Sequence, residues 1–239
     1  MPIPQWMTRT ELLIGDKAIE KLIGSHVLVV GLGGVGGICA EMIARAGVGK
    51  MTIIDADVVE ASNRNRQVPA LISTDGKSKS MVLGERLLDI NPDLDLVIIN
   101  EFINVENTSE LLSNNKFDYV ADCIDTLSSK VNLIKLCLER GIPIASSMGA
   151  GSKVDPTKVK IVDISETYNC KLAYYVRKRL HKVGIFKGLK VVFSPEKPLE
   201  KRVVVTDSGP KKSVVGTISY MPAVFGCAVA SLVLRGLYE

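Results

Sequence analysis

The sequence predicts an α/β protein: a doubly wound, mostly parallel sheet with helices on both faces, an N-terminal helix and a basic α+β C-terminal extension. Three observations predict it. Short runs rich in Val and Ile alternate with longer amphipathic segments through the first two thirds of the chain, as in strands joined by crossover helices. These runs are apolar throughout, which is typical of strands covered on both faces. A glycine-rich stretch at 31–37 follows the first run, where such a fold turns from strand to helix.

The elements are expected in chain order from these patterns. A helix at Thr10–Leu22 precedes the first strand. Gly47 and Gly141 stand where helix ends favour glycine, and Pro143 follows as a stop signal. The strands are expected at His26–Val30, Met51–Ile54, Asp95–Ile99, Tyr119–Ile124 and Ile142–Ser146. The helices between them are expected at Gly36–Ala46, Lys77–Ile90, Asn107–Asn114 and Leu127–Arg140.

The C-terminal part changes character after Gly151. It is expected to contain a strand at Lys158–Ile164, a helix at Cys170–His181 and a strand at Lys190–Phe193. Ser194–Ser213 holds several prolines and charges and is predicted to be a long functional or mobile loop. Val214–Ser219 and a terminal helix then return the chain to the core. We therefore expect one domain over 1–239, with a core at about 24–150 and a basic part at about 151–239.

The N-terminal and C-terminal segments bear on where the protein is located in the cell. The first ten residues lack the charged and apolar pattern of a signal peptide, which predicts a cytoplasmic protein. The apolar run Met221–Leu234 contains Pro222 and Gly226 and is shorter than the ~20 residues of a membrane span. It predicts a buried helix, with no stable membrane insertion.

The five cysteines stand singly, so a Cys-x-x-Cys zinc site or redox pair is not expected. Four of them are predicted to be buried as small apolar side chains, and these are Cys39, Cys123, Cys137 and Cys227. Cys170 lies in a polar stretch and is the candidate for an exposed thiol. A catalytic role there is the less favoured interpretation, because reactivity requires surroundings that stabilise the thiolate.

Charge is concentrated in the second half of the chain. Lys171–Lys212 carries twelve Lys or Arg residues against three acids, whereas the whole chain has a net charge of +4. Such an excess favours a polyanionic substrate. A solvated helix face explains it equally well, since no aromatic stacking platform or RNA-binding motif accompanies the charge.

The glycine stretch predicts a phosphate site. An apolar strand leads into Gly31-Leu-Gly33-Gly34-Val-Gly36, the turn that brings backbone amides and a helix N-terminus to a pyrophosphate in Rossmann-like folds. Asp55 ends the second strand about twenty residues later, where an acid accepts hydrogen bonds from a ribose. Asp57 is interpreted as a supporting group or a loop residue. These features alone would fit NAD.

Cationic groups after Asp55 favour a nucleoside triphosphate over NAD. A triphosphate carries more charge than a dinucleotide and develops more in phosphoryl transfer, so it needs Arg and Lys contacts. Arg66, with Asn63 before it and Gln67 after it, and Lys79 at the start of the next helix are the candidates. Arg64 is expected to be solvated.

Two acids follow the fourth strand. Asp122 and Asp125 are expected at the carboxyl edge of the sheet, where doubly wound folds bind ligands. An exposed carboxylate there suits Mg²⁺ held against phosphates. An N-cap of the following helix is the alternative role for Asp125.

Together these motifs resemble the ubiquitin-activating E1-like superfamily: Gly31 to Gly36, Asp55-Ala-Asp57, Asn63-Arg64-Asn65-Arg66-Gln67, Gly76-Lys-Ser-Lys79 and Asp122-Cys-Ile-Asp125. Members bind ATP and Mg²⁺ as homodimers or as two related halves, and adenylate a carboxylate. The resemblance implies that Asp55 binds ribose, that Asn63, Arg66 and Lys79 bind phosphates, and that Asp125 binds Mg²⁺. It also implies that Arg9 reaches the ATP of the neighbouring subunit.

Within the superfamily the chain lacks the paired Cys-x-x-Cys motifs usual in sulfur-carrier activators. It is instead similar to the tRNA threonylcarbamoyladenosine dehydratase branch, in Arg9-Thr-Glu-Leu-Leu-Ile-Gly15, Asn91-Pro92, Ser147 to Thr157 and Val192-Phe193-Ser194. That branch implies adenylation of the threonylcarbamoyl carboxylate on a tRNA adenosine, followed by ring closure with net loss of water.

Several alternatives stay open at this point. An enzyme that adenylates a carrier protein would use the same ATP site, and an NAD-dependent oxidoreductase would explain only the glycines and Asp55. A monovalent cation at Gly149-Ala-Gly151 and a sulfur-transfer protein partner are also left open.

Overall fold

The computed structural model describes residues 3–197, 203–205 and 213–239, and it is organised around a seven-stranded sheet. The strands in chain order are β1 (His26–Val30), β2 (Lys50–Ile54), β3 (Asp95–Ile99), β4 (Tyr119–Asp122), β5 (Ile144–Ser147), β6 (Lys160–Asp163), β7 (Lys190–Phe193), β8 (Val203–Val205) and β9 (Ser213–Val215). The sheet order is β3-β2-β1-β4-β5-β7-β6. Every neighbouring pair is parallel except β6 with β7. The predicted fold class is confirmed.

Helices cover both faces of this sheet. In chain order they are α1 (Thr8–Ile14), α2 (Asp16–Ile23), α3 (Gly36–Arg45), α4 (Lys79–Ile90), α5 (Val105–Asn114), α6 (Leu127–Glu139), α7 (Lys171–His181) and α8 (Tyr220–Tyr238). One apolar core joins α3, α4 and α8 to the sheet, and a second joins α5, α6 and α7. The alternation of Val and Ile runs with amphipathic segments therefore indicated the layers correctly.

The N-terminal helix differs from its prediction. Instead of one helix at Thr10–Leu22, the chain forms α1 and α2, separated by Gly15. Gly15 has φ +79° and ψ 163°, a conformation outside the helical region that glycine adopts at little cost. The two short helices thus take different directions from a segment whose apolar spacing alone reads as continuous.

The C-terminal extension joins the main sheet. β7 pairs in parallel with β5, and β6 adds an antiparallel edge. The predicted loop at Ser194–Ser213 contains β8, which pairs with β9 in a separate two-stranded ribbon. Val214–Ser219 therefore begins in that ribbon, and α8 then returns the chain to the core as expected. Pro198, Gly209 and Pro210 of the loop lie outside the described residues.

The terminal helix α8 is long and apolar enough to cross a membrane by length and composition only. One face packs against α3 and the sheet, as the sequence predicted for a core helix. The buried residues of that face are Met221, Pro222, Phe225, Gly226, Val229, Ala230 and Val233.

Candidate active site

The glycine turn lies where the strand order reverses, between the carboxyl ends of β1 and β4. Gly31 N donates to Ile54 O at 2.9 Å, and Cys123 N donates to Val30 O at 2.9 Å. Ligands of doubly wound sheets bind in the crevice at this point. In the first turn of α3, Gly37 N donates to Gly33 O and Cys39 N donates to Val35 O, each at 3.0 Å, and the helix N-terminus favours an anion through its dipole.

Glycine is required at particular positions of this turn. Gly31 has φ +84°, and a Cβ added to it would lie 2.9 Å from Cys123 O. A Cβ on Gly36 would lie 1.7 Å from Gly31 O, and one on Gly34 would lie 2.9 Å from the Pro222 Cβ. Gly33 has more room, with the Gln67 side chain 3.8 Å away. Three of the four predicted glycines thus allow close packing of the protein on itself.

Asp55 supports the turn directly. Its Oδ2 accepts from Leu32 N at 2.6 Å and its Oδ1 accepts from Asp57 N at 2.8 Å. Burial raises the pKa of the Asp55 carboxyl, while these two amides oppose the rise. A carboxylate has about four acceptor positions, so two amides leave capacity for ribose hydroxyls. The contacts that Asp55 makes within its own turn are therefore compatible with binding of a ribose.

Lys79 is brought beside the turn by backbone pairing. Val59 N donates to Lys77 O at 2.8 Å and Lys79 N donates to Asp57 O at 3.0 Å, which joins the chain after β2 to the start of α4. The buried Lys79 Nζ then lies 2.9 Å from Asp57 Oδ2. Asp57 therefore holds the ammonium group, the supporting role that the sequence offered as one of two.

The segment from Asn63 to Gln67 lies against the glycine turn. Asn63 is buried, and its Oδ1 accepts from Glu60 N at 3.3 Å, so its amide shapes the local turn. Arg66 Nη1 donates to Ser62 O at 3.0 Å and to Asn65 Oδ1 at 2.8 Å. The guanidinium carries three further N–H groups on Nη2 and Nε.

Gln67 presents a buried polar atom to this region. Its Oε1 has no hydrogen-bond partner among the described residues, although such atoms are nearly always paired in folded proteins. Arg64 is exposed, as expected, and its Nε donates to Ala61 O at 3.3 Å.

The two acids after β4 have different environments. Asp122 is fully buried, and its Oδ2 lies 2.7 Å from Lys130 Nζ and accepts from Ser146 Oγ at 2.6 Å. It belongs to a buried structural network. Asp125 is exposed, three residues beyond β4 and at the edge that holds the glycine turn. α6 begins at Leu127 with Thr126 at its N-cap position, so Asp125 lies just before the helix.

Arg9 lies away from these residues in the same chain. Met7 packs on Gly47 closely enough that a Cβ there would lie 2.1 Å from the Met7 Cε. Gly47 follows the C-terminal end of α3, whereas the glycine turn precedes its N-terminal end, about 15 Å away for ten residues at ~1.5 Å each. Arg9 is exposed on α1, near the opposite edge of the sheet.

The thiols differ partly from expectation. Cys39, Cys137 and Cys170 are buried and Cys123 is half-buried, but Cys227 is exposed. Cys227 was expected inside because its helix is apolar, yet it lies on the face of α8 that points away from the core. Burial raises the pKa of the Cys137 thiol to about 12. Cys170 is covered at the start of α7, so the expected exposed thiol is not found there.

Sequence reasoning missed two features of the site. A cavity of about 290 Å³ adjoins the ends of β2 and β3, with Ile54, Ile99 and Ile103 as apolar lining and Asn107 among its polar groups. The second is α8, whose Pro222 and Gly226 pack against Gly34 and Val35 O. In the sequence, Gly226 stands four positions after Pro222 in an apolar helix. This spacing was the available indication that α8 packs closely against the glycine turn.

Residues 7–239 match the ThiF family. The tRNA threonylcarbamoyladenosine dehydratase of Bacillus subtilis (strain 168) is 45% identical over 192 residues, which cover 80% of this chain and 75% of that protein. The enzyme of the same name from Escherichia coli (strain K12) is 35% identical over 244 residues, covering 95% and 91%. The E. coli dehydratase crystallised with ATP is similar in structure, with TM-score 0.88, 33% identity and coverage of 98% and 93%.

Proposed function

Because the chain belongs to the ThiF family, we propose that it is an ATP-dependent tRNA threonylcarbamoyladenosine dehydratase. The observation that carries this function is the extent of the similarity. The E. coli dehydratase aligns with 95% of the chain, through the nucleotide motifs and the C-terminal extension alike. An enzyme specialised for carrier proteins would be expected to share the nucleotide site more than the extension.

The site fits ATP on its own geometry. The turn at Gly31 to Gly36 and the N-terminus of α3 supply amides for phosphates, and Asp55 has acceptor capacity for a ribose. Arg66 and the buried Lys79 supply positive charge beside the turn. The half-buried cavity beside Ile54 and Ile99 has the apolar walls that a flat base requires. In this proposal these residues hold ATP with its α-phosphorus facing the open crevice.

The first step is transfer of AMP to a carboxylate. A carboxylate oxygen of the threonylcarbamoyl group attacks the α-phosphorus, an O–P bond forms, and the bond to the bridging β-phosphate oxygen breaks. Pyrophosphate leaves with the electron pair. Arg66 and Lys79 stabilise the charge that builds on the phosphates, as cationic side chains do in other phosphoryl-type transfers.

Asp125 is the residue we assign to Mg²⁺. It is an exposed carboxylate at the carboxyl edge of β4, and Mg²⁺ is commonly held by one or two carboxylates together with substrate phosphates and water. When bound, the ion neutralises phosphate charge. Within the described residues no group of three or more His, Cys, Asp or Glu side chains could hold a metal, so one protein carboxylate with phosphate ligands is the arrangement that fits.

The second step closes the ring within the substrate. The carbamoyl group attacks the activated carbonyl carbon and gives up a proton to solvent, and AMP departs with the former carboxylate oxygen. The modified adenosine has then lost one water overall. Attack within one molecule benefits from proximity and requires no enzyme nucleophile. The burial of Cys170 agrees with that route.

The competing functions are separated by substrate. Pyrophosphate release that depends on threonylcarbamoylated tRNA, and not on a carrier protein, supports the dehydratase; the reverse dependence supports the carrier-protein alternative. Binding of ATP without binding of NAD excludes the oxidoreductase. We place the reaction in the cytoplasm, where tRNA and ATP are both present. The reaction transfers no sulfur, so a sulfur-transfer partner has no role in its chemistry.

We also propose that the enzyme is a homodimer in which Arg9 acts on the partner's ATP. Arg9 is near the edge of the sheet opposite its own glycine turn. Leu12 and Leu13 on the same helix are each 83% exposed, and Trp6 is 43% exposed. Apolar side chains of this size on a short helix are typical of a surface covered by another chain.

Mixing two inactive variants tests Arg9 in the dimer. Arg9→Ala and Asp125→Ala proteins should each be inactive, and the mixture should recover about a quarter of wild-type adenylation, since half of the dimers would carry one complete site. Pyrophosphate release from co-refolded or co-expressed subunits measures it. If tagged heterodimers are isolated and remain inactive, Arg9 does not act across the dimer.

A monovalent cation is proposed at the turn that follows β5. Ser152 has φ +58°, and its buried hydroxyl has no hydrogen-bond partner among the described residues. Ser152 N donates to Gly216 O at 2.8 Å, which holds the turn against the segment before α8. Carbonyl and hydroxyl oxygens of this kind suit K⁺ or Na⁺. An unchanged thermal midpoint when both ions are replaced by choline would contradict the assignment.

A further inference from the structure

Helix α7 presents a basic and aromatic face to solvent. Its apolar residues Ala173, Val176 and Leu180 are buried against α6 and the sheet. The outward positions carry no acidic side chain, and they are Lys171, Tyr174, Tyr175, Lys178, Arg179, His181 and Lys182. From the sequence alone a solvated face explained this charge equally well, because no stacking platform was evident. The structure supplies one, since Tyr174 and Tyr175 are 52% and 41% exposed.

A cleft of about 280 Å³ lies between this face and the start of α6. It is lined by Leu127, Tyr175, Lys178, Arg179 and Lys182. Arg179 Nη1 donates to Ser128 Oγ at 2.9 Å and so joins the two helices beside the cleft. The Tyr175 ring contacts Tyr174 edge-on, with centroids 5.2 Å apart and planes at 72°. One leucine, a tyrosine ring in contact with a second ring and three cationic side chains thus line the same cleft.

The position of the cleft relates it to the site of chemistry. Leu127, at one wall, is two residues after Asp125, and α6 begins where β4 ends at the crevice. The helix with the cleft is therefore next to the edge at which the substrate carboxylate must meet ATP. A macromolecular substrate whose reacting nucleoside enters that crevice has this cleft within reach of its adjoining backbone.

We propose that this cleft binds the RNA strand next to the modified adenosine, with a neighbouring base stacked on Tyr175 and phosphates on Lys178 and Lys182. Single-stranded nucleic acids are held in this way, by aromatic faces that accept any base and by cations that follow the backbone. Phosphate contacts position the strand without reading its sequence. The proposal rests on the proposed function, because it takes tRNA to be the substrate.

Point variants of the cleft test it in the full-length enzyme. Tyr175→Ala should weaken binding of threonylcarbamoylated tRNA about tenfold, and Tyr175→Phe, which keeps the ring, should restore most of it. Lys178→Glu should weaken binding at least as much and lower the slope of log Kd against log salt by about one. Affinity for ATP and the thermal midpoint should be unchanged, because both side chains are exposed.

Lys116→Glu is the matched control. Lys116 is exposed and precedes β4, at the opposite edge of the sheet, so the same charge reversal there should leave tRNA affinity at the wild-type value. If wild-type enzyme dehydrates the tRNA and the Tyr175→Ala and Lys178→Glu proteins bind it equally well, the cleft is not the RNA site and the function stands. The proposal is also wrong if these two variants bind tRNA normally and lose affinity only for an acidic protein. Absence of dehydration by the wild type would instead refute the function.

Discussion

Replacing Asp125 by Ala abolishes adenylation and leaves the fold intact. We expect pyrophosphate release to fall by about a thousandfold or more, because the carboxylate that holds Mg²⁺ against the phosphates is lost and the charge of the transition state is less well compensated. The exposed side chain contributes to no buried core, so the thermal midpoint should move little. Pyrophosphate release and thermal unfolding on one preparation measure both effects.

The control for this variant is Asp93→Ala. Asp93 is also exposed, and it lies in the turn between α4 and β3, at the amino edge of the sheet. Its loss should affect neither activity nor stability. An Asp125→Ala protein with wild-type adenylation at saturating ATP and Mg²⁺ would remove this residue from the site.

Replacing Asp122 by Ala has the opposite consequence, a large loss of stability. Asp122 and Lys130 are both fully buried, and their side chains form an ion pair of 2.7 Å. Breaking a buried pair leaves an uncompensated charge and typically costs about 3–5 kcal/mol. For a chain of this length that cost corresponds to a fall of roughly 6–20 °C in the thermal midpoint. Thermal or urea unfolding measures it.

The double variant Asp122→Leu with Lys130→Met is the informative companion. It removes both charges and fills similar space with apolar atoms, so much of the lost stability should return. An Asp122→Ala protein with the wild-type thermal midpoint would show that the Asp122–Lys130 ion pair does not stabilise the fold. Two acidic residues within four positions of each other are thus expected to have different roles: Asp125 in adenylation and Asp122 in stability.

Most of the fold followed from local patterns. Gly47 and Gly141 end helices with positive φ, as their positions after amphipathic segments indicated. Gly15 was missed because apolar spacing continues across it, and only its backbone conformation separates α1 from α2. The β8–β9 ribbon was missed because its strands are three residues long and lie between prolines and charges, which are typical of a loop.

The residues of the candidate site were found by motif, but their relations were not. That Asp57 holds Lys79 depends on pairing between two segments about twenty residues apart. Asp122 and Asp125 differ because Asp122 lies within β4 and pairs with Lys130 of α6, whereas Asp125 lies in the exposed segment after that strand. Lys130 lies within the apolar pattern of its helix. A lysine at such a position indicates a buried acidic partner, which is Asp122. Tyr175 went unnoticed because the cleft forms only where α7 packs beside Leu127 of α6, a contact between segments distant in sequence.

Mass analysis of tRNA nucleosides is the direct test of whether the protein dehydrates threonylcarbamoyladenosine in tRNA. Threonylcarbamoylated tRNA is incubated with the protein and ATP, digested, and compared with samples lacking ATP or containing the Asp125→Ala protein. We expect the modified adenosine to lose the mass of one water only with wild-type protein and ATP, while AMP and pyrophosphate appear in equal amounts. An adenosine of unchanged mass, with pyrophosphate released only when a carrier protein is added, would contradict it.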